Sequence, residues 1–126
     1  MHDESGLKSA LLKQMKILLP GFVVLAHSER VRSGVPDWSV TGAGRTTWWE
    51  FKHSAPDFMS HGIQELTCLR LAAAGYCRYV VWEERNGIKR TLIVHPKHLK
   101  DLTSETWCVM FDHRWLVNEI RKAHGV

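Results

Sequence analysis

The chain has 126 residues, of which 44% are hydrophobic and 24% are charged, values typical of one globular domain spanning residues 1–126. Its net charge of +4 permits nucleic-acid binding without requiring it. No apolar run approaches the roughly 20 residues of a membrane span, and no signal peptide is recognisable. Scattered cysteines without Cys-x-x-Cys spacing argue against a disulfide framework or a zinc ribbon. We therefore expect buried thiols in a cytoplasmic protein.

The first half of the chain predicts one helix followed by three strands. Leu7, Leu11, Met15 and Leu18 recur at helical spacing over residues 3–19, and Pro20-Gly21 ends that helix. Apolar runs separated by turn residues then predict three strands, over residues 22–26, 37–41 and 46–53.

The second half predicts a helix, a hairpin and a closing helix. Residues 60–74 return to helical spacing, and Gly75 is a plausible stop. Asn86-Gly87 is a hairpin signal between strands at 78–82 and 89–94. A helical turn at 96–102, a short edge strand at 107–111 and a helix at 114–123 complete the chain. The order α-β-β-β-α-β-β-α predicts a small mixed α/β sheet flanked by helices, in which a right-handed crossover makes strands three and four parallel.

The third strand carries charged residues that are costly to bury. Alternation along a strand places Trp48, Glu50 and Lys52 on one face, and Trp49 and Phe51 on the other. We expect the aromatic face to pack on a helix and the Glu/Lys face to line a cleft. Asp37 begins the preceding strand, so hairpin pairing brings its carboxylate beside that of Glu50.

Two carboxylates this close repel each other unless a cation neutralises them. Oxygen ligands select hard cations, so Mg²⁺ or Mn²⁺ fits the pair. The backbone carbonyl of Phe51 is a natural additional ligand. The alternatives without any chemical role are that Asp37 is a turn residue and that Glu50 and Lys52 form a solvated strand face.

The motif Gly34-Val35-Pro36-Asp37, followed by Glu50-Phe51-Lys52 and by Gln64 in the next helix, resembles the PD-(D/E)XK nuclease superfamily. The likeness is greatest to stand-alone VRR-NUC domains, whose remaining motif positions correspond here to Asp57, Ser60 and Gly75. It covers about residues 3–84 and implies a restriction-endonuclease-like fold.

The resemblance implies hydrolysis of phosphodiester bonds. Asp37 and Glu50 would hold one or two divalent ions, and Lys52 would position or deprotonate water or stabilise developing charge. Gln64 would bind near the attacking water or the substrate, although a surface helical role is open. Glu4 in the first helix is the candidate for a further metal ligand; alternatively it only suits the positive end of the helix dipole.

Four residues are candidates for contact with DNA. Arg30, Arg32 and Arg45 flank the turns before and after the second strand and either bind phosphates or lie solvated in loops. Trp48 faces the expected cleft, where it either stacks on a base or sugar or packs into the core.

The leading hypothesis is a metal-dependent DNA endonuclease selective for Holliday junctions or other branched DNA, from a bacterium or a phage-infected cell. A four-way junction is two-fold symmetric, which favours a homodimer. Apolar residues of the C-terminal segment are the expected dimer surface: Trp107, Val109, Phe111 and Trp115. One alternative is a non-catalytic nucleic-acid-binding module on the same fold. Another is a sequence-specific restriction-type nuclease, for which so short a chain has little room.

Overall fold

The computed structural model of the chain describes residues 4–27, 35–53, 62–99 and 112–126. The described residues form three α-helices, one 3₁₀ turn and five strands. The helices are α1 (Glu4–Leu18), α2 (Gly62–Ala74) and α3 (His113–Ala123), and the 3₁₀ turn covers Pro96–His98. The strands are β1 (Val23–Ala26), β2 (Trp38–Gly42), β3 (Arg45–His53), β4 (Cys77–Arg85) and β5 (Ile88–Val94). The predicted element order is confirmed, and the edge strand expected at 107–111 lies outside the described residues.

One mixed sheet with strand order β1-β2-β3-β4-β5 organises the fold. Neighbouring strands pair antiparallel except β3 and β4, which are parallel. The parallel pair arises because α2 connects these two strands, as the strand-helix-strand order predicts. The expected mixed α/β fold is therefore confirmed.

Two tight turns set the registers of the antiparallel pairs β2–β3 and β4–β5. Ala43 and Gly44 have φ of 51° and 81°, and Asn86 and Gly87 have φ of 52° and 78°. Positive φ at both central residues matches the right-handed twist of the flanking strands. The first turn places an alanine where glycine or asparagine is usual, and it fixes the pairing of Trp38 with Trp49.

The sheet has a buried cluster on each face. Trp49 and Phe51 lie in the larger cluster, together with residues of α1 and α3 such as Met15 and Ile120. The second cluster joins α2 to the opposite face through Cys68, Cys77 and Tyr79, with Trp48 packed against it. The predicted split of the third strand into two faces is confirmed, because alternate side chains of a strand point to opposite sides.

Trp115 behaves differently from the sequence-based expectation of an exposed dimer surface. It is partly buried and packs against the larger cluster, because the side of α3 that carries Leu116 and Ile120 faces the sheet. The other three residues of the expected surface, Trp107, Val109 and Phe111, lie outside the described ranges. No helix in the described part of the chain is long and apolar enough to cross a membrane.

Candidate active site

The open end of the β2–β3 hairpin, opposite its turn, holds the two acidic side chains together. The amide N–H of Asp37 donates to Glu50 Oε1 at 2.9 Å, and the amide N–H of Phe51 donates to Asp37 Oδ2 at 2.9 Å. Each carboxylate therefore accepts a hydrogen bond from the backbone of the neighbouring segment. These two hydrogen bonds fix both side chains. They follow from the pairing of Trp38 with Trp49, because Asp37 precedes Trp38 and Glu50 follows Trp49.

Two lysines contribute positive charge to this pair. Lys52 Nζ lies 3.4 Å from Glu50 Oε2, as the alternation of β3 predicts. Lys8 Nζ, from α1, donates to Asp37 Oδ1 at 3.1 Å. Their side chains are 17% and 24% exposed, so both ammonium groups lie at the border between the protein and solvent. Each carboxylate of the pair therefore has a lysine as a partner.

Glu50 is buried to an unusual degree for a charged residue, with 2% of its surface exposed. Burial is the main reason that its pKa rises from 4.5 to about 8, and the nearby charge of Asp37 raises it further. Lys52 acts in the opposite direction by favouring the carboxylate. The Glu50 carboxyl therefore keeps its proton to a higher pH than an exposed glutamate does.

Two free thiols lie in the cluster beneath Glu50. Cys68 of α2 and Cys77 of β4 are both buried, as expected for two of the three cysteines, and Cys108 lies outside the described residues. A hydrogen bond with the Cys77 thiol lowers the pKa of Cys68, against the opposing effect of burial. The same bond and burial raise the pKa of Cys77. This polar pair belongs to the wall behind the site.

An aromatic and polar group borders the acids on the same face of the sheet. The rings of Trp48 and His27 lie 5.4 Å apart at 35°, and His27 Nε2 is 2.7 Å from Ser39 Oγ. Trp48 is half-buried, so it contributes both to the second cluster and to the surface beside Glu50. Its two sequence-based interpretations, core packing and contact with DNA, are therefore compatible.

The structure does not bring Arg45 to the acids. Arg45 begins β3, five residues before Glu50, which corresponds to roughly 17 Å along a strand. Its Nη1 donates to the carbonyl of Ala123 at 2.8 Å, and its guanidinium lies 5.5 Å from the Tyr76 ring centroid. This arginine therefore joins the hairpin turn to the end of α3, and a phosphate contact there would be distant from Asp37.

The other predicted site residues are only partly placed. Glu4 is the first residue of α1, one turn before Lys8, and Gln64 lies in the first turn of α2. The side chains of Glu4 and Gln64 are outside the described part of the structure, as are Arg30 and Arg32 entirely. Their proposed roles remain predictions.

The residues present fit a hard divalent cation. Asp37 and Glu50 offer carboxylate oxygens fixed side by side, and the two ammonium groups against them show that this position attracts positive charge. Both backbone groups of a strand residue face the same neighbour, so the Phe51 carbonyl points to the side on which its N–H meets Asp37. No group of three or more His, Cys, Asp and Glu side chains able to hold a metal occurs among the described residues. Mg²⁺ requires only one or two protein carboxylates, with water completing its shell.

Sequence analysis did not identify Lys8 or His27 as members of the site. A signal for Lys8 was available, because it lies four residues after Glu4 and three before the buried Leu11, on the same side of α1. For His27 the sequence carries no such signal. Its position depends on β1 pairing with β2, where its amide donates to the Asp37 carbonyl at 2.7 Å.

Comparison with known proteins adds no relative. The sequence matches no model of a protein family, and no curated protein matches it.

Proposed function

We propose that the protein is a divalent-metal-dependent DNA endonuclease of the PD-(D/E)XK type, most like a stand-alone VRR-NUC domain. The observation that carries the proposal is that backbone amides hold both carboxylates in place, with Lys52 nearby. The Asp37 amide donates to Glu50, the Phe51 amide donates to Asp37, and Lys52 lies 3.4 Å from Glu50. These three side chains are the motif on which the resemblance rests. Burying such a set only for structure would be costly, because charges removed from water require compensation.

In this proposal Asp37, Glu50 and the Phe51 carbonyl hold Mg²⁺ or Mn²⁺. The bound ion would polarise the scissile phosphate and make water a stronger nucleophile. Glu50 must lose its proton before it can act as a ligand, and Lys52 stabilises the resulting carboxylate from 3.4 Å. The ammonium of Lys52 is also exposed enough to orient water or to meet charge developing on the phosphate. Gln64, and Glu4 as an additional ligand, complete the proposed set from two helices.

The proposed substrate is branched DNA, including the Holliday junction, cut by a homodimer. The net charge of +4 supports contact with phosphates. Trp48 and His27 form an aromatic surface beside the acids, which suits stacking on unpaired bases near a branch point.

Cleavage assays test this function. Duplex, flap, splayed-arm and four-way DNA would be incubated with the protein in Mg²⁺ and in Mn²⁺. We expect branched substrates to be cut, and Asp37→Asn and Glu50→Gln to lower the rate at least about a hundredfold by removing metal ligands. Glu119→Gln is the matched control, because this acid lies on α3 and pairs with Lys122 at 3.2 Å. Parent-like cutting by both site variants would refute the assignment.

A non-catalytic nucleic-acid-binding module is the second candidate. It is favoured by the two lysines, since acids already neutralised by ammonium groups form a stable pair without any metal. Calorimetry with Mn²⁺ separates the candidates. DNA binding without any uptake of Mn²⁺ would support the module, whereas Mn²⁺ binding that requires Asp37 would support the nuclease.

A further inference from the structure

Lys8 is a cation that the motif does not include, yet it contacts the motif's first acid. Its Nζ lies 3.1 Å from Asp37 Oδ1, and it is 29 positions away in the sequence. Asp37 Oδ2 is engaged by the amide of Phe51, so Lys8 lies against the oxygen that the hairpin backbone leaves available. This is the place at which a divalent ion would approach Asp37.

The two lysines of the site are held differently. Lys52 is on β3, two residues from Glu50, so its backbone is fixed relative to its partner. Lys8 reaches Asp37 from a separate helix and borders a cavity of about 280 Å³. That cavity is lined by Lys8, Ser9, Leu12, Ala26, His27, Asp37 and Trp38. A flexible lysine stem therefore has space to swing away from Asp37 while its ammonium stays hydrated.

We propose that the Lys8 ammonium occupies the cation position on Asp37 in the metal-free protein and is displaced when a divalent ion binds. This inference rests on the proposed function, because it concerns the same metal site. An ammonium and a divalent ion on one carboxylate oxygen repel each other strongly at this separation. Lys8 thus stabilises the empty site, and it lowers the affinity of the site for metal.

Calorimetric titration with Mn²⁺ tests the exchange. We expect Lys8→Gln to bind Mn²⁺ about threefold to tenfold more tightly than the parent, corresponding to the loss of one partly exposed ion pair as competitor. Lys8→Arg keeps the charge and should bind no more tightly than the parent. Lys16→Gln, at an exposed position of the same helix, should stay within about twofold.

Thermal unfolding gives a second readout that does not depend on activity. Without metal, Lys8→Gln should melt at a lower temperature than the parent, because Asp37 loses its ammonium partner. Saturating Mn²⁺ should raise its melting temperature by more than it raises that of the parent. Lys16→Gln should show the parent's response. An equal or smaller rise for Lys8→Gln would contradict the exchange.

A measurement on the unmodified protein covers the case in which Lys8→Gln does not fold. Nitrogen-15 NMR of the lysine ammonium groups should show the Lys8 signal shifting on addition of Mg²⁺, as the ion pair with Asp37 breaks. An unchanged signal at saturating Mg²⁺ would overturn the inference.

The outcomes for the metal site and for Lys8 can be told apart. If Asp37→Asn abolishes Mn²⁺ binding and Lys8→Gln leaves the affinity for Mn²⁺ at the parent value, the metal site stands and only the role of Lys8 fails. If the parent binds no Mn²⁺, the proposed function fails with it.

Discussion

At the scale of single residues, the main feature is a glutamate that the fold buries almost completely. Glu50 keeps 2% of its surface exposed and accepts a hydrogen bond from the Asp37 amide. Burial and the neighbouring Asp37 charge together raise its pKa to about 8. This carboxyl therefore resists ionisation more than an exposed glutamate does, and a cation placed beside it would favour the charged form.

This raised pKa predicts how Glu50 affects stability in metal-free buffer. A carboxyl group whose pKa is higher in the folded protein stabilises it below the unfolded value of 4.5, and this contribution is lost as the pH rises to about 8. We expect Glu50→Gln to be more stable than the parent at pH 8.5, by on the order of 2 kcal/mol, and the difference to shrink toward pH 5. Thermal unfolding at pH 5, 7 and 8.5 measures it.

Glu119→Gln serves as the control for this comparison, and its difference from the parent should stay small at every pH. A Glu50→Gln variant less stable than the parent at pH 8.5 would show that the lysine contact outweighs the cost of burial.

At the scale of elements, the β2–β3 hairpin carries the acids at its open end. Near its turn it forms hydrogen bonds with His124, the residue that follows α3. Thr47 of β3 is buried and accepts a hydrogen bond from Trp49 Nε1 at 2.8 Å. Its hydroxyl lies 2.9 Å from His124 Nε2, and His124 Nδ1 lies 2.9 Å from the Gly42 carbonyl. A carbonyl only accepts, so Nδ1 carries the proton and Nε2 accepts from Thr47. The chain of donors and acceptors is thereby complete.

Thr47→Val tests this connection with almost no change of volume. The substitution leaves the indole N–H of Trp49 and Nε2 of His124 without their buried partner, so we expect a loss of about 2–4 kcal/mol in the free energy of unfolding. Urea denaturation would measure it. Thr41→Val removes a hydroxyl from the exposed Thr41–Thr46 contact of the same hairpin and should cost no more than about 0.5 kcal/mol. Equal losses in the two variants would argue against the buried network.

Gly42→Ala tests the packing of the same hairpin end. A Cβ at Gly42 would overlap the ring of Phe22, which packs edge-on against His124 at a centroid distance of 5.1 Å. We expect a loss of about 1–3 kcal/mol, because the ring must move within a packed contact. Gly75→Ala is the control, since its Cβ would meet only the Leu71 carbonyl at 3.7 Å. Chemical denaturation of both variants should therefore show a clear loss only at Gly42.

At the scale of the whole molecule, contacts between distant parts of the chain hold α1 and α3, on one face of the sheet, against the β2–β3 hairpin. His124 contacts Thr47 and Gly42, which lie 77 and 82 positions earlier in the chain. Lys8 contacts Asp37, which lies 29 positions later. The contacts of His124 hold the end of α3 against the hairpin turn, and the contact of Lys8 holds α1 against the acids. The helices on this face therefore stabilise the hairpin at both ends.

Acidification should weaken the molecule through His124. Its pKa is lowered, chiefly by burial, so the unfolded chain binds a proton more readily than the folded protein does. The contribution of His124 is fully present above the ordinary value of 6.5 and is lost as the pH falls below it. We expect the free energy of unfolding to decrease between pH 7.5 and pH 5.5, and His124→Gln to show a shallower decrease. The exposed His98, changed to glutamine, should leave the slope unchanged.

Much of the fold was predictable because its signals are local. Helical spacing of leucines, Asn-Gly at a hairpin and alternation along β3 act over a few residues, so the order of elements and the faces of Trp48 to Lys52 were predicted correctly. The parallel β3–β4 pair followed from the intervening helix. The side-chain environment of Arg45 was not predictable, because its partners are the Ala123 carbonyl and the Tyr76 ring. Those contacts depend on where the last helix packs.

The sequence by itself determined which residues could form the site: the period of a strand places Glu50 and Lys52 together, and one tight turn places Asp37 beside them. Only the tertiary structure decided the state of that site. The packing of α1 against the sheet brought Lys8 to Asp37, and the closure of the protein around Glu50 raised its pKa. Motif spacing is set by bonds along the chain, whereas burial and partner choice are set by elements that meet only when the chain folds.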